Sequence, residues 1–211
     1  MTVSTFNVAA SADDATAYRD GLTVYPPDTT TLFTATATNW PPERTKSGAG
    51  NFFVSVARCR WDTSSLPDGD TVDSAIFRLY VSGKSNIDSR SFSAGYMSTL
   101  PDAADYTPTA EAGAIANVAI ASITSGADND FTLLDVAANI SKTGYSGLRA
   151  HISGGEPTGV NYVDAVSWDH ATLTEPRLIV THTVPDVSYV SAVLPFGGMQ
   201  PVQVPTEVVA Y

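Results

Sequence analysis

Two segments of the sequence alternate apolar and polar side chains, and this period of two constrains the fold most. In the first segment, Phe53, Ala57, Cys59 and Trp61 share one parity, which Ser55 interrupts. Arg58 and Arg60 take the other parity. Successive side chains of a β-strand point to opposite faces, so the pattern predicts a strand with one face in a core. We expect the arginine face to contact water.

Turn-forming residues separate this strand from a second one. Residues 62–70 are rich in Asp, Ser, Gly and Pro, and the alternation resumes in residues 75–81. Short runs bounded by Gly, Pro, Asn or Asp predict further strands in residues 3–9, 32–38, 91–97, 130–134, 147–152, 162–168 and 177–183. About nine strands fit a two-sheet antiparallel β-sandwich. The expected fold class is therefore all-β.

The inward parity also predicts a core. We expect one core between the two sheets to contain Trp61, Phe77, Leu79, Leu148 and Leu178, and Cys59 to be buried and unreactive. Helical signals are few. Residues 135–140 could form one or two turns with Asp135 as the N-cap, and residues 112–120 fit a short helix or a strand.

Charge and targeting signals limit the partners. The chain has 22 acidic and 11 basic residues, a formal charge of -11 that would repel a phosphate backbone, so we expect no nucleic-acid partner. The start lacks the basic and apolar regions of a signal peptide, and no stretch approaches the ~20 apolar residues of a membrane span. We expect synthesis in a host cytoplasm and no membrane insertion.

The sequence changes character after Thr183. Residues 184–211 combine four prolines with apolar side chains and few charges. Proline lacks a backbone N–H and disfavours ladder pairing. We predict a β-sandwich domain in residues 1–183 and an extended Pro-rich arm in residues 184–211. The arm is expected to dock on a neighbouring subunit through apolar residues that include Tyr189, Leu194, Phe196, Met199 and Tyr211.

Several short motifs resemble those of DNRLRE-type domains, which are grouped with carbohydrate-binding modules. The similar segments are residues 6–14, 60–67, 72–81, 131–136, 147–150, 166–168 and 176–180, which read FNVAASADD, RWDTSSLP, VDSAIFRLYV, FTLLDV, GLRA, VSW and PRLIV. The resemblance implies a jelly-roll-like β-sandwich of a kind found in surface proteins and phage virions. It also implies that Trp61 and Trp168 are buried at core or strand-end positions. Where that family usually has Phe before Asp, this chain has Trp61.

Three acidic loop clusters make calcium the one cofactor to consider. The candidate ligands are Asp13, Asp14, Asp68, Asp70, Asp128 and Asp130, which offer hard oxygen atoms on loops. The alternative is that these residues only build turns by bonding their own backbone. The three histidines, His151, His170 and His182, share no ligand spacing and are expected to be structural or on the surface.

Trp40 is the candidate ligand-binding residue. It lies in a predicted loop, residues 39–43, where no strand periodicity would bury it, and a flat ring there could stack on a sugar. The alternative is that its ring folds back onto the core. For catalysis, the acidic candidates Glu43, Glu111, Glu156 and Asp169 stand in no recognisable motif, and Gly-x-Ser-x-Gly is absent. We therefore predict that the chain is not an enzyme.

Two function hypotheses follow. The first is a structural protein of a bacteriophage virion, a capsid decoration or tail component that contacts other virion subunits or copies of itself. The second is a carbohydrate-binding module that recognises a cell-surface polysaccharide.

Overall fold

The computed structural model describes residues 1–107 and 113–185, together with the backbone of Tyr189–Val190 and Val204–Pro205. The described chain is all-β, and every pairing that it makes is antiparallel. The large sheet contains β1 (Thr2–Asn7), β2 (Asp14–Leu22), β3 (Leu32–Thr34), β4 (Asn39–Trp40), β5 (Glu43–Lys46), β6 (Asn51–Asp62), β7 (Thr71–Asn86), β8 (Ser91–Tyr96), β9 (Val118–Ala119), β10 (Ala127–Thr132), β11 (Tyr145–Ile152), β12 (Asn161–Val166) and β13 (Arg177–Thr183).

Helical structure is short. One four-residue α-helix, α1 (Val136–Asn139), and 3-10 turns at Ser11–Asp13, Ala103–Asp105 and Ile120–Ser122 connect the strands. Among the described residues, no helix has the length and apolar character needed to cross a membrane.

The long strands β6 and β7 organise the sheet. The main strand order is β1-β13-β7-β12-β5-β6-β11-β8-β9. β10 pairs with β7, β4 pairs with β12, and β2 pairs with both β6 and β3. The half built on β7 and the half built on β6 are therefore joined through β12 and β5.

An aromatic cluster lies where the two halves meet. The ring of Phe77 on β7 contacts Trp61 on β6 and Trp40 on β4, at centroid distances of 5.6 and 6.1 Å. It also contacts Phe131 on β10 at 6.0 Å. This packing of β6 against β7 is consistent with a sandwich, and the all-β prediction is confirmed.

The predicted core is confirmed as well. Cys59 and the five expected core residues are all buried. One hydrophobic cluster contains Trp61, Phe77, Leu79, Leu148 and Leu178. The indole N–H of Trp61 donates to the carbonyl of Pro176 at 3.0 Å, so its polar atom is satisfied. Burial also raises the pKa of the Cys59 thiol, which disfavours the reactive thiolate.

The expectation that the Arg58 face contacts water is wrong. The chain after β8 crosses this face and covers it, so Arg58 is only 1% exposed. Its guanidinium lies 2.6 Å from the carboxylate of Asp105 and donates to the carbonyl of Thr99 at 2.6 Å. A strand can therefore alternate while both of its faces are buried.

Two further expectations are corrected. Trp168 is 42% exposed, because it follows the end of β12 and its ring lies outside the core. Asp135 precedes α1 but makes no side-chain capping bond, and its φ of 50° is in the left-handed region. The described part of residues 112–120 contains a strand, β9, and then enters the Ile120–Ser122 turn.

The predicted arm falls almost wholly outside the described residues. Its described backbone forms a two-residue antiparallel pair, β14 (Tyr189–Val190) with β15 (Val204–Pro205), separate from the large sheet. The side chain of Tyr189 and residues Leu194, Phe196, Met199 and Tyr211 lie outside the described part. The docking of the arm and the boundary at residue 184 stay predictions.

Candidate ligand-binding groove

Strands β2, β5 and β6 together form a groove. Phe53 on β6 lies opposite Asp20 on β2 and opposite Thr45 on β5. Two residues along, Ser55 lies opposite Tyr18 and Glu43. Residues opposite each other or two apart share a sheet face, so these six side chains line one surface.

Two adjoining concavities occupy this surface. The larger, about 580 Å³, is lined by Asp20, Gly21, Thr29, Glu43, Thr45, Ser47, Asn51, Phe52 and Phe53. The smaller, about 350 Å³, is lined by Thr16, Tyr18, Thr34, Ala37, Thr38, Asn39, Pro41 and Phe53. Phe53 lines both, so the two concavities meet at its ring.

The meeting point carries an aromatic pair. The rings of Tyr18 and Phe53 stack with a centroid distance of 5.1 Å and an interplanar angle of 26°. Both side chains are half-buried, so the pair is packed on one side and accessible on the other. Such a pair combines apolar contact area with low conformational freedom, because it is fixed by its own stacking.

Local hydrogen bonds hold the walls of the groove. In the β2–β3 loop, the Thr29 hydroxyl donates to the carbonyl of Asp20 at 2.5 Å, and Arg19 donates to the Thr31 hydroxyl at 2.8 Å. A Cβ on Gly21 would lie 3.3 Å from Cβ of Pro27, so the missing side chain lets this loop close on β2.

The groove is acidic. Burial raises the pKa of Glu43, a hydrogen bond with Thr45 lowers it, and the charge of Asp164 raises it again. The Asp164 carboxylate is held by the side-chain amide of Asn39 at 2.9 Å. With Asp20 on the larger concavity, the surface presents carboxylate and hydroxyl groups around an aromatic centre. Such groups can hydrogen-bond a polyol and would repel an anion.

Trp40, the residue expected to contact a ligand, is not available to one. It lies in β4 and is 1% exposed. Its indole N–H donates to the carbonyl of Arg58 at 2.6 Å, and its ring packs on Phe77. The expectation of a surface contact is wrong because pairing of β4 with β12 carries the indole into the core.

The structure does not bring the six candidate calcium ligands together. Asp13 pairs with Arg60 at 2.7 Å, Asp70 with His182 at 2.6 Å, Asp128 with Arg177 at 2.6 Å, and Asp130 with Arg78. Asp14 accepts from the backbone N–H of Trp168, and the carbonyl of Asp68 accepts from Lys142. Within residues 1–107 and 113–185, no group of three His, Cys, Asp or Glu side chains could hold a metal ion.

The acidic residues considered for catalysis are also separate. Glu43 lies in the groove, Glu156 lies 3.7 Å from Lys46, and Asp169 accepts from the Ser11 hydroxyl at 2.7 Å. Glu111 lies outside the described residues. Sequence reasoning missed Tyr18, Asp20 and Phe53 as a set, because their common surface depends on the register of β2 with β6.

Asp14 gives a prediction for the pH dependence of stability. Burial, and the charges of Asp169, Asp13 and Glu175, raise its pKa to about 7, although the N–H of Trp168 lowers it. In the unfolded chain an aspartate titrates near ~4. Between these two values the Asp14 carboxyl binds more protons in the folded protein, so its contribution to stability falls as pH rises and levels off above pH 7.

We expect Asp14→Asn to remove this penalty. The variant should gain stability over the parent as pH rises from 4 to 7, by up to ~4 kcal/mol at about 1.4 kcal/mol per pH unit. Urea denaturation across this range measures the difference, with the exposed Asp28→Asn as the control. A difference that does not vary with pH would show that the Asp14 carboxyl is ionised throughout.

A scan against protein-family models found no match for this chain. A search of curated proteins found no match either.

Proposed function

We propose that the protein binds an extended, uncharged polysaccharide in the groove of β2, β5 and β6. The observation that carries this proposal is the stacked pair of Tyr18 and Phe53 at the point where the two concavities meet. A half-exposed aromatic face offers apolar contact to the C–H groups of a sugar ring. Hydroxyl and carboxylate groups on either side can bond the sugar hydroxyls.

The position of the two concavities side by side supports a polymer rather than a small metabolite. Each concavity falls in the range of about 300–1,000 Å³ that is typical of ligand sites. They adjoin at Phe53, so consecutive sugar units of one chain could occupy both. The aromatic pair then lies under the middle of the bound segment.

Charge supports selectivity for neutral chains. Asp20, Glu43 and Asp164 lie in or beside the groove, and the chain as a whole carries a formal charge of -11. A uronate or sulfated polymer would be repelled by this surface, especially at low ionic strength. A neutral polymer meets no such repulsion.

The virion hypothesis is compatible with this proposal. A decoration or tail component with such a groove would attach to a glycan on the cell surface. The assembly role of residues 184–211 and the virion location remain predictions.

Affinity electrophoresis tests the proposal. We expect at least one neutral polymer in a panel of glucans, xylans and mannans to retard the protein, and alginate and pectate to have no effect. Phe53→Ala and Tyr18→Ala should each raise the dissociation constant obtained from the retardation by roughly tenfold or more. This is the effect of losing about 1.4 kcal/mol of binding free energy.

Phe33→Ala is the matched control. Phe33 is 40% exposed on β3, and it pairs with Ala17, so its ring lies on the sheet face opposite Tyr18. This variant should bind like the parent, and melting curves should show that all three variants are folded. Unchanged retardation of both groove variants would overturn the proposal.

A further inference from the structure

A second polar centre lies away from the groove, at the edge strand β1. The imidazole of His182 on β13 lies between two side chains from distant parts of the chain. Its Nε2 is 3.0 Å from Oγ of Ser4, and its Nδ1 is 2.6 Å from Oδ2 of Asp70. Ser4 and His182 come together because Thr2 pairs with His182 and Ser4 with Val180, which places both side chains on one face.

The order of these contacts assigns a role to each group. A carboxylate can only accept a hydrogen bond, so Nδ1 of His182 carries the hydrogen and donates to Asp70. Nε2 is then left as the acceptor for the Ser4 hydroxyl. A hydroxyl bonded to an imidazole that a carboxylate orients is the arrangement that activates a serine nucleophile.

The His182 and Asp70 side chains are held in place. His182 and Asp70 are 3% and 5% exposed. The backbone N–H of Asp70 donates to the carbonyl of Pro67 at 3.0 Å, and Lys142 donates to the carbonyl of Asp70 at 2.9 Å. The Asp70 carboxylate therefore reaches His182 from a turn that is tied at both of its backbone groups.

The nucleophilic end is accessible. Ser4 is half-buried, and within the described residues β1 pairs on one side only, with β13. An edge strand directs alternate backbone N–H groups away from its partner, where they can stabilise an oxyanion.

We propose that Ser4, His182 and Asp70 form a nucleophilic centre that hydrolyses small carboxylic esters. Oγ of Ser4 bonds to the ester carbonyl carbon while its proton passes to Nε2 of His182. The ester C–O bond breaks, and the leaving alcohol takes that proton. Water then attacks the acyl-serine with His182 as its base, which releases the carboxylic acid and regenerates Ser4. This site is independent of the polysaccharide groove and departs from the sequence-based prediction of a chain without catalysis.

A fluorophosphonate probe on the full chain tests the proposal. Oγ of Ser4 should displace fluoride, so that intact mass rises by one adduct and peptide mapping places it on Ser4. Ser4→Ala should lose labelling, and Asp70→Asn should slow it at least tenfold because the imidazole loses its fixed tautomer. The exposed Ser98→Ala should label like the parent.

Ser4→Cys separates chemistry from folding. His182 should activate the new thiol, so iodoacetamide should alkylate this variant rapidly at residue 4, whereas the parent stays unmodified because Cys59 is buried. The rate of p-nitrophenyl acetate hydrolysis should follow the rate of labelling. It should be similar in the parent and Ser98→Ala, at least tenfold lower in Asp70→Asn and lost in Ser4→Ala. An unlabelled parent, or equal labelling of Ser4→Ala, would show that the three residues only tie β1 to β13.

Discussion

Phe77→Ala is expected to lower the free energy of unfolding by about 4 kcal/mol. The ring is fully buried and contacts Trp40, Trp61 and Phe131, so its removal leaves a cavity where the two halves of the sheet meet. The three neighbours are large and belong to different strands, which limits how far they can collapse into the space. Urea denaturation measures the change.

Phe33→Ala serves as the control for Phe77→Ala. Its ring is exposed on β3, so the loss should stay below about 1 kcal/mol. Equal losses for the two variants would place Phe77 outside the core and contradict the packing of β6 against β7.

Asp105→Ala is expected to cost about 3–5 kcal/mol, because it leaves the buried guanidinium of Arg58 without its carboxylate. Both side chains are almost fully buried, and their atoms lie 2.6 Å apart. The low exposure of both side chains limits how well bulk water can solvate the unpaired guanidinium. The Arg78–Asp130 pair is a matched control because it is partly exposed, and Asp130→Ala should cost less than about 1 kcal/mol.

A double variant sharpens this prediction. Arg58→Met combined with Asp105→Leu removes both charges and should recover most of the stability that Asp105→Ala loses. A thermodynamic cycle over Arg58→Met, Asp105→Leu and their combination then gives the coupling between the two side chains. Additive losses would show that Asp105 does not compensate Arg58.

The sequence predicted the fold wherever one face of a strand is apolar. Residues 177–183 were predicted as a strand with the bounds observed for β13, and the parity of β6 placed Cys59 and Trp61 correctly. β2 was missed because Ala15 and Ala17 are small and give little periodic signal. The burial of Arg58 was missed for another reason, since the chain that covers it follows a later strand.

The sites depended on contacts between distant segments. Trp40 was expected in a loop, and its burial depends on an acceptor on β6 and on pairing with β12. Tyr18 and Phe53 meet through the register of β2 with β6. His182 reaches Ser4 and Asp70 across 178 and 112 positions of sequence. No local spacing encodes such contacts, so only the folded chain shows them.

The most direct measurement for the groove is a titration followed by NMR. Isotopically labelled protein would be titrated with an oligosaccharide of the neutral polymer that retards it most. We expect the largest chemical-shift changes at Tyr18, Thr45 and Phe53 on the three groove strands, and no change at Ser4 and His182. Saturable changes confined to another face of the sheet, or none with any neutral oligosaccharide, would contradict a polysaccharide site on β2, β5 and β6.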